Sequence, residues 1–262
     1  LSRKTYFIST DVENVLDPKV YNDVLKMHAK ESITLFDFGM ASITTVENKL
    51  LEKVQFTECE IVPFHSHDIV CKSEGMSSFG RKGSVRSFSE KPLSFSTLQT
   101  MLIQSFSPDR NGRRPYPSGG GLYTVEPLVF LFSNRLVSDE PVISGCYHFR
   151  PISRTLQLVK KLSCDHFFNK LLHGMIKEGE RPACAILYVT PVGKTIFKYR
   201  YRGYRHAVME VGSMYQEVTR VSQELGLSST VYSSFSEHEF LYSLGLDSGA
   251  FLPLTMQLFG YS

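Results

Sequence analysis

Phe197-Lys198-Tyr199-Arg200-Tyr201-Arg202-Gly203-Tyr204-Arg205 interleaves four cations with three phenols and offers almost nothing apolar to bury. Read as a regular strand, it places Lys198, Arg200 and Arg202 on one face and Tyr199 and Tyr201 on the other. An edge strand guarded by cations explains the charge but not the phenols. Phenols beside cations suit proton transfer or anion binding. They also suit single-stranded nucleic acid, whose bases stack on aromatic rings. The run is short, however, and a net charge of +3 is too small to make nucleic acid the expected partner.

Working outward, the run follows an apolar strand-like segment, residues 183–189, and precedes a long amphipathic helix expected over residues 206–225. In that helix Val211, Met214, Tyr215, Val218, Val221 and Leu225 share one side, and Gly226 supplies the stop. Ser236-Glu237-His238-Glu239 is a capping box that opens a helix running toward Gly245, and residues 253–259 read as a last strand. Upstream, Glu126 begins a near-continuous apolar run to Phe132, the pattern of a strand buried on both faces. Tyr147-His148-Phe149 is a short strand, and residues 164–176 are expected to be helical. Ser94 or Ser96 can cap a helix whose Leu98, Met101, Leu102 and Phe106 line one face. Asp17-Pro18 opens a helix over residues 18–30, with Asp17 as its cap. Residues 71–89, rich in Ser, Gly and basic residues, read as an exposed connection. Strands and helices interleave without a repeat, which predicts an α+β layer fold.

The chain has 262 residues, with 42% hydrophobic and 21% charged, ordinary for a globular protein with a sizeable core. No apolar run approaches the ~20 residues of a membrane span, so no membrane segment is expected. Leu1-Ser2-Arg3-Lys4-Thr5 lacks the apolar core of a secretory signal. The five cysteines, Cys59, Cys71, Cys146, Cys164 and Cys184, form no Cys-x-x-Cys pair. Free thiols in a reducing cytosol fit them best, so a cytoplasmic location is expected. His65 and His67 alternate without a third ligand in reach, so no metal site is expected. A Gly-x-Ser-x-Gly hydrolase elbow is also missing.

Two further segments carry chemistry. Arg113-Arg114-Pro115-Tyr116-Pro117-Ser118-Gly119-Gly120-Gly121 combines prolines that fix the backbone with glycines that allow close approach to a ligand. No Lys-Ser/Thr follows the glycines, so it is not a Walker loop; the ordinary alternative is a surface turn. Lys82, Ser84 and Arg86 alternate, so an extended backbone aims all three one way and could grip a phosphate. A solvated basic face is the alternative there.

Together and in this order, the three segments resemble the SagB-type azoline dehydrogenases of the nitroreductase fold. Lys82-Gly83-Ser84-Val85-Arg86 resembles their Arg-x-Ser-x-Arg motif, with Lys82 in place of the first arginine. Pro115-Tyr116-Pro117-Ser118-Gly119-Gly120-Gly121-Leu122-Tyr123 is similar to their Pro-Ser-Gly/Ala-Gly-Ala-Leu-Tyr segment; the triple glycine and Thr124 depart from the family's Ala and Pro. The most particular match is the 197–205 run followed by Glu210-x-Gly212-Ser213-Met214-Tyr215-Gln216, which is similar to the microcin-type members. The likeness is good from about residue 78 onward and looser before it. It implies a nitroreductase-like fold, with a mixed central sheet flanked by helices. The expected division is a smaller N-terminal extension, residues 1–75, and an FMN-binding domain, residues 76–262.

The resemblance further implies FMN at a homodimer interface and two-electron oxidation of peptide thiazolines and oxazolines to thiazoles and oxazoles. Implied partners are a cyclodehydratase, a leader-binding subunit and an azoline-containing precursor peptide of the microcin type. The family's catalytic Lys-Tyr pair matches Lys198 and Tyr199. Aromatisation removes a proton and a hydride from adjacent ring carbons, so a base is needed beside the flavin. Tyrosine is a weak base at its ordinary pKa of ~10, and a neighbouring lysine cation favours its phenolate. Tyr199 is therefore expected as base and Lys198 as activator, with the reverse assignment as the alternative. A regular strand would point the two apart, so a local break is expected there. Carried over for FMN are Lys82, Ser84 and Arg86 at the phosphate and ribityl chain and Pro117, Ser118 and Gly119 at the isoalloxazine. Gln216, Ser233 and Ser234 are carried over as further contacts. A generic NAD(P)H-dependent nitroreductase and a flavin-less scaffold subunit are the competing functions.

Overall fold

The computed structural model describes residues 15–32, 80, 83–174 and 176–262. Asp17 caps α1 (Pro18–Glu31), accepting hydrogen bonds from the amides of Lys19 at 2.9 Å and Val20 at 3.4 Å. A two-residue β1 (Leu93–Ser94) leads into α2 (Phe95–Phe106), where Ser94 accepts from the Thr97 amide at 3.0 Å. Leu98, Met101, Leu102 and Phe106 are buried, as their spacing predicts. Then come β2 (Glu126–Leu131), the short β3 (Leu136–Val137), β4 (Gly145–Arg150), β5 (Thr155–Lys161) and β6 (Cys184–Pro191). Helices α3 (Val192–Tyr199) and α4 (Tyr201–Glu224) follow, then β7 (Ser228–Tyr232), α5 (Glu237–Leu244) and β8 (Phe251–Gly260). Ser236 caps α5, and Gly245 ends it in a left-handed turn at φ 70°.

Six strands form one sheet in the order β5-β4-β2-β6-β8-β7. Every neighbouring pair in it is antiparallel, which corrects the mixed sheet expected within the α+β class. The reason lies in β8. Helices α3 and α4 carry the chain from β6 to β7, which run parallel to each other, but β8 lies between them and opposes both. The parallel pairing falls outside this sheet, between β1 and β3.

Alternate residues of β2 and β6 serve two cores. Val129, Leu131, Ile186 and Tyr188 join α2 and α4 on one face. Leu128, Phe130, Ala185, Leu187 and Val189 meet Phe167, Phe168 and Phe240 on the other. Burial on both faces is what the unbroken apolar run of β2 requires. The helix expected over residues 164–176 shrinks to a single π-helical turn, His166–Leu171. Its wider winding, closed by Leu172 N donating to Phe167 O at 3.0 Å, buries Phe167, Phe168, Leu171 and Leu172 together.

Of the segment expected as an N-terminal extension, α1 belongs to the same unit as the sheet, while Phe36–Arg81 forms a second unit. Cys59, Cys71, His65, His67 and Lys82 lie outside the described residues.

Candidate active site

The run at residues 197–205 is not a strand. Phe197, Lys198 and Tyr199 end α3, Arg200 breaks the backbone at φ 52° and ψ −130°, and Tyr201 opens α4. The break expected at Lys198 and Tyr199 does not separate that pair: both lie in one helix, and the backbone breaks one residue later, at Arg200, between two helices. Burial shows why helix wins: Val192, Thr195 and Ile196, then Gly203, Tyr204, Ala207, Glu210, Val211 and Met214 recur at helical spacing. Neighbours in a helix are not thrown to opposite faces as in a strand. The Lys198 Nζ accordingly lies 5.1 Å from the centroid of the Tyr199 ring.

Both side chains meet the glycine loop. A Cβ on Gly120 would sit 2.5 Å from Tyr199 Oη and 3.0 Å from Lys198 Nζ, and its φ of 65° suits glycine. A Cβ on Gly119 would sit 2.6 Å from His206 Nδ1. His206, in the second turn of α4, packs edge-on to Tyr199 with ring centroids 4.8 Å apart and planes at 74°. Its Nδ1 is buried and has no hydrogen-bond partner among the described residues. The loop thus presses two bare backbone positions onto Lys198, Tyr199 and His206.

Glu210 fixes the loop from below. Its carboxylate is only 3% exposed, and a buried carboxylate must be hydrogen-bonded. It accepts from Ser118 Oγ at 2.5 Å, Val125 N at 3.1 Å and Thr124 Oγ1 at 3.4 Å. Ser118 Oγ accepts in turn from Tyr123 N at 2.8 Å. The Ser118 hydroxyl is therefore engaged inside the protein, holding the loop that Pro117 and Gly119 share. Arg114 completes the frame, donating to Tyr116 Oη at 2.9 Å and lying 4.5 Å from the Tyr123 ring centroid. Burial pushes the Tyr116 phenol well up despite Arg114, so this tyrosine stays neutral.

A second ionic group secures the start of α3. Lys194 Nζ lies 2.7 Å from Glu126 Oε1, and His148 Nε2 lies 3.1 Å from Glu126 Oε2. Burial alone would raise the Glu126 carboxyl, but the His148 hydrogen bond and the Lys194 charge outweigh it and hold it at about 2.

The remaining expected residues gather elsewhere. Val85 N donates to Ser229 O at 3.4 Å, so Ser84 and Arg86 flank a residue anchored to β7. Ser233 and Ser234 follow the same strand directly. Arg86 is exposed and has no ion pair among the described residues, leaving a cation available to a phosphate. Gln216 is exposed on α4, along the stripe that carries Arg205 and Met209. His206 is a residue that sequence reading missed, and Glu210 appears there only within the family motif, without a role. Glu210 had a legible signal: it shares a helix face with Ala207, Val211 and Met214, where a lone carboxylate needs partners.

An antiparallel sheet covered by helices on both faces, with a glycine loop pressed on the start of a long helix, is shared with the nitroreductase fold. A putative nitroreductase from Ralstonia eutropha superposes with a TM-score of 0.58 at 18% identity, over 74% of this chain and 87% of that one. The similarity is far greater to the microcin B17-processing protein McbC of Escherichia coli, 32% identical over 255 residues, covering 95% of this chain and 93% of that protein. The chain belongs to the family of that protein. One chain of the E. coli microcin synthetase McbBCD complex, solved with truncated pro-MccB17 bound, superposes with a TM-score of 0.87 over 99% of both chains at 31% identity. No protein-family profile matches the chain.

Proposed function

We propose that this protein is an FMN-dependent azoline dehydrogenase that oxidises thiazolines and oxazolines in a ribosomally made peptide to thiazoles and oxazoles. The observation that carries the reading is the meeting of Lys198 and Tyr199 on Gly120, in a relative of a microcin-processing protein. The cofactor fits the residues present. Arg86 is an exposed cation beside Ser84 with no ion pair among the described residues, the chemistry a flavin phosphate needs. Pro117, Ser118 and Gly119 would face the ring system, while Ser84, Arg86, Ser233 and Ser234 would serve from the β7 side, with Lys82 and Gln216 as further contacts. FMN held there would supply the hydride acceptor.

The protein's own task is the proton. The ring carbon beside the carbonyl gives up its proton to Tyr199, whose ring centroid lies 5.1 Å from Lys198 Nζ. Glu210 keeps the loop rigid, so that both groups stay where Gly120 places them. Met209 and Val208, exposed at 56% and 45% on α4, give the apolar surface for a homodimer. A cyclodehydratase must supply the substrate, and a leader-binding subunit would present it, in keeping with the pro-MccB17-bound complex of the relative. Cys146, Cys164 and Cys184 are free, which suits a reducing cytoplasm.

Incubation with a thiazoline-containing peptide should give a mass loss of about 2 Da per ring. Lys198→Ala and Tyr199→Phe should each retain FMN yet abolish that loss. Full activity in both variants would overturn the site. NAD(P)H-driven turnover without azole formation would favour a generic nitroreductase, and a flavin-free protein would favour a scaffold subunit.

A further inference from the structure

Helix α1 reaches the catalytic turn at three points. Asp17, the N-cap of α1, forms an ion pair with Arg200. Asp23 Oδ2 accepts from Tyr201 Oη at 2.7 Å. His28 Nδ1 lies 3.1 Å from Tyr204 Oη in a buried contact. Between these, Val20 and Val24 pack with Val192, Ile196 and Tyr204. The contacts therefore bracket Lys198 and Tyr199 from both sides along the sequence.

Arg200 itself is the unusual residue. At φ 52° and ψ −130° it occupies a region that side-chain-bearing residues seldom enter. Such a conformation persists only where the surroundings over-determine it, and it is concentrated at functional sites. Here the turn is tightened by Arg200 N donating to Ile196 O at 2.7 Å and Gly203 N donating to Arg200 O at 2.9 Å. Rotation at Arg200 would carry Tyr199 away from Gly120. Apolar packing of Val20 and Val24 suffices to dock a helix; it does not require that two acidic side chains meet consecutive residues of the break.

We propose that α1 positions the catalytic turn, with Asp17, Asp23 and Arg200 as its positioning residues. The inference rests on the dehydrogenase reading above. None of the three needs to touch substrate or flavin. They hold the backbone break that sets Tyr199 and Lys198 against the loop, and displacement of a reacting group by about 1 Å can cost 10²-fold in rate.

The test uses the full chain loaded with FMN and a synthetic thiazoline-containing peptide. An Arg200→Ala/Asp23→Ala double variant should bind FMN and peptide as the parent does, while kcat per bound flavin falls about tenfold or more. Deuterium at the ring carbon that loses its proton should slow the double variant more than the parent, because proton removal has become the slower step. Arg200→Lys, which keeps the charge and its reach to Asp17, should recover most of the rate. Parental kcat per bound flavin in the double variant would overturn the proposal, as would losses of flavin and rate in strict proportion. Tyr199→Phe, assayed alongside, separates the two levels. A fully active Tyr199→Phe sinks the dehydrogenase site, whereas an inactive Tyr199→Phe beside a fully active double variant sinks only the role of α1.

Discussion

His206 brings the residue-scale logic into view, because packing alone does not favour an imidazole there. Its ring lies edge-on to Tyr199, yet its buried Nδ1 finds no partner among the described residues. A buried nitrogen left unsatisfied costs about 1–3 kcal/mol. His206→Phe keeps an edge-to-face ring beside Tyr199 and removes that nitrogen, so the variant should unfold at a temperature equal to or above the parent's. A lower melting temperature would mean that the nitrogen is bonded in solution. At this scale the sequence was legible wherever a local rule applies: Asp17, Ser94 and Ser236 cap the helices their spacing announces. It was illegible for His206, whose neighbours Gly119 and Tyr199 come from other elements, and for Glu126, whose partners His148 and Lys194 are distant in the chain.

At the scale of elements, the misread strand is the instructive case. Alternating Tyr and Arg satisfies a period of two, and tyrosine is at home in strands. The few small or apolar residues around the run, Ile196, Gly203, Tyr204 and Ala207, instead follow helical spacing and decided the outcome. The long helix consequently starts at Tyr201, not at His206. Gly203 marks where α4 crosses α3, since a Cβ there would collide with the Thr195 carbonyl oxygen. Gly203→Ala should therefore push the two helices apart and destabilise the protein by roughly 1–3 kcal/mol, the usual cost of overpacking. Thermal unfolding measures this, and an unchanged midpoint would show that the crossing is looser than described. Edge strands β5 and β7 escaped notice for a different reason. With polar, partly exposed sequences such as Ser228-Ser229-Thr230-Val231-Tyr232, they take their pairing from the neighbouring strand and not from their own apolar pattern.

For the molecule as a whole, the class of fold was readable from alternating strand and helix signals, but the sheet order was not, because β8 enters last and separates β6 from β7. No helix among the described residues is long and apolar enough to cross a membrane. Stability toward acid should turn on the cluster that joins β2, β4 and α3. The Glu126 carboxyl lies at about 2 in the fold against an ordinary 4.5, so its stabilising contribution is present above the ordinary value and is lost as pH falls through the folded value. Melting temperature should drop between about pH 4.5 and pH 2, and Glu126→Gln should flatten that limb while lowering stability near neutrality. An acid limb unchanged by Glu126→Gln would place the sensitivity elsewhere. The claim that matters most is that Tyr199 and Lys198 serve proton removal beside a flavin. Its most direct measurement is an anaerobic single turnover of the FMN-loaded protein with a thiazoline-containing peptide, following oxidised-flavin absorbance and peptide mass together. The account predicts about one ring oxidised, with its loss of about 2 Da, for each flavin reduced, and neither event in Tyr199→Phe despite bound FMN. Azole formation at the parental rate in Tyr199→Phe, or without flavin reduction, would contradict it.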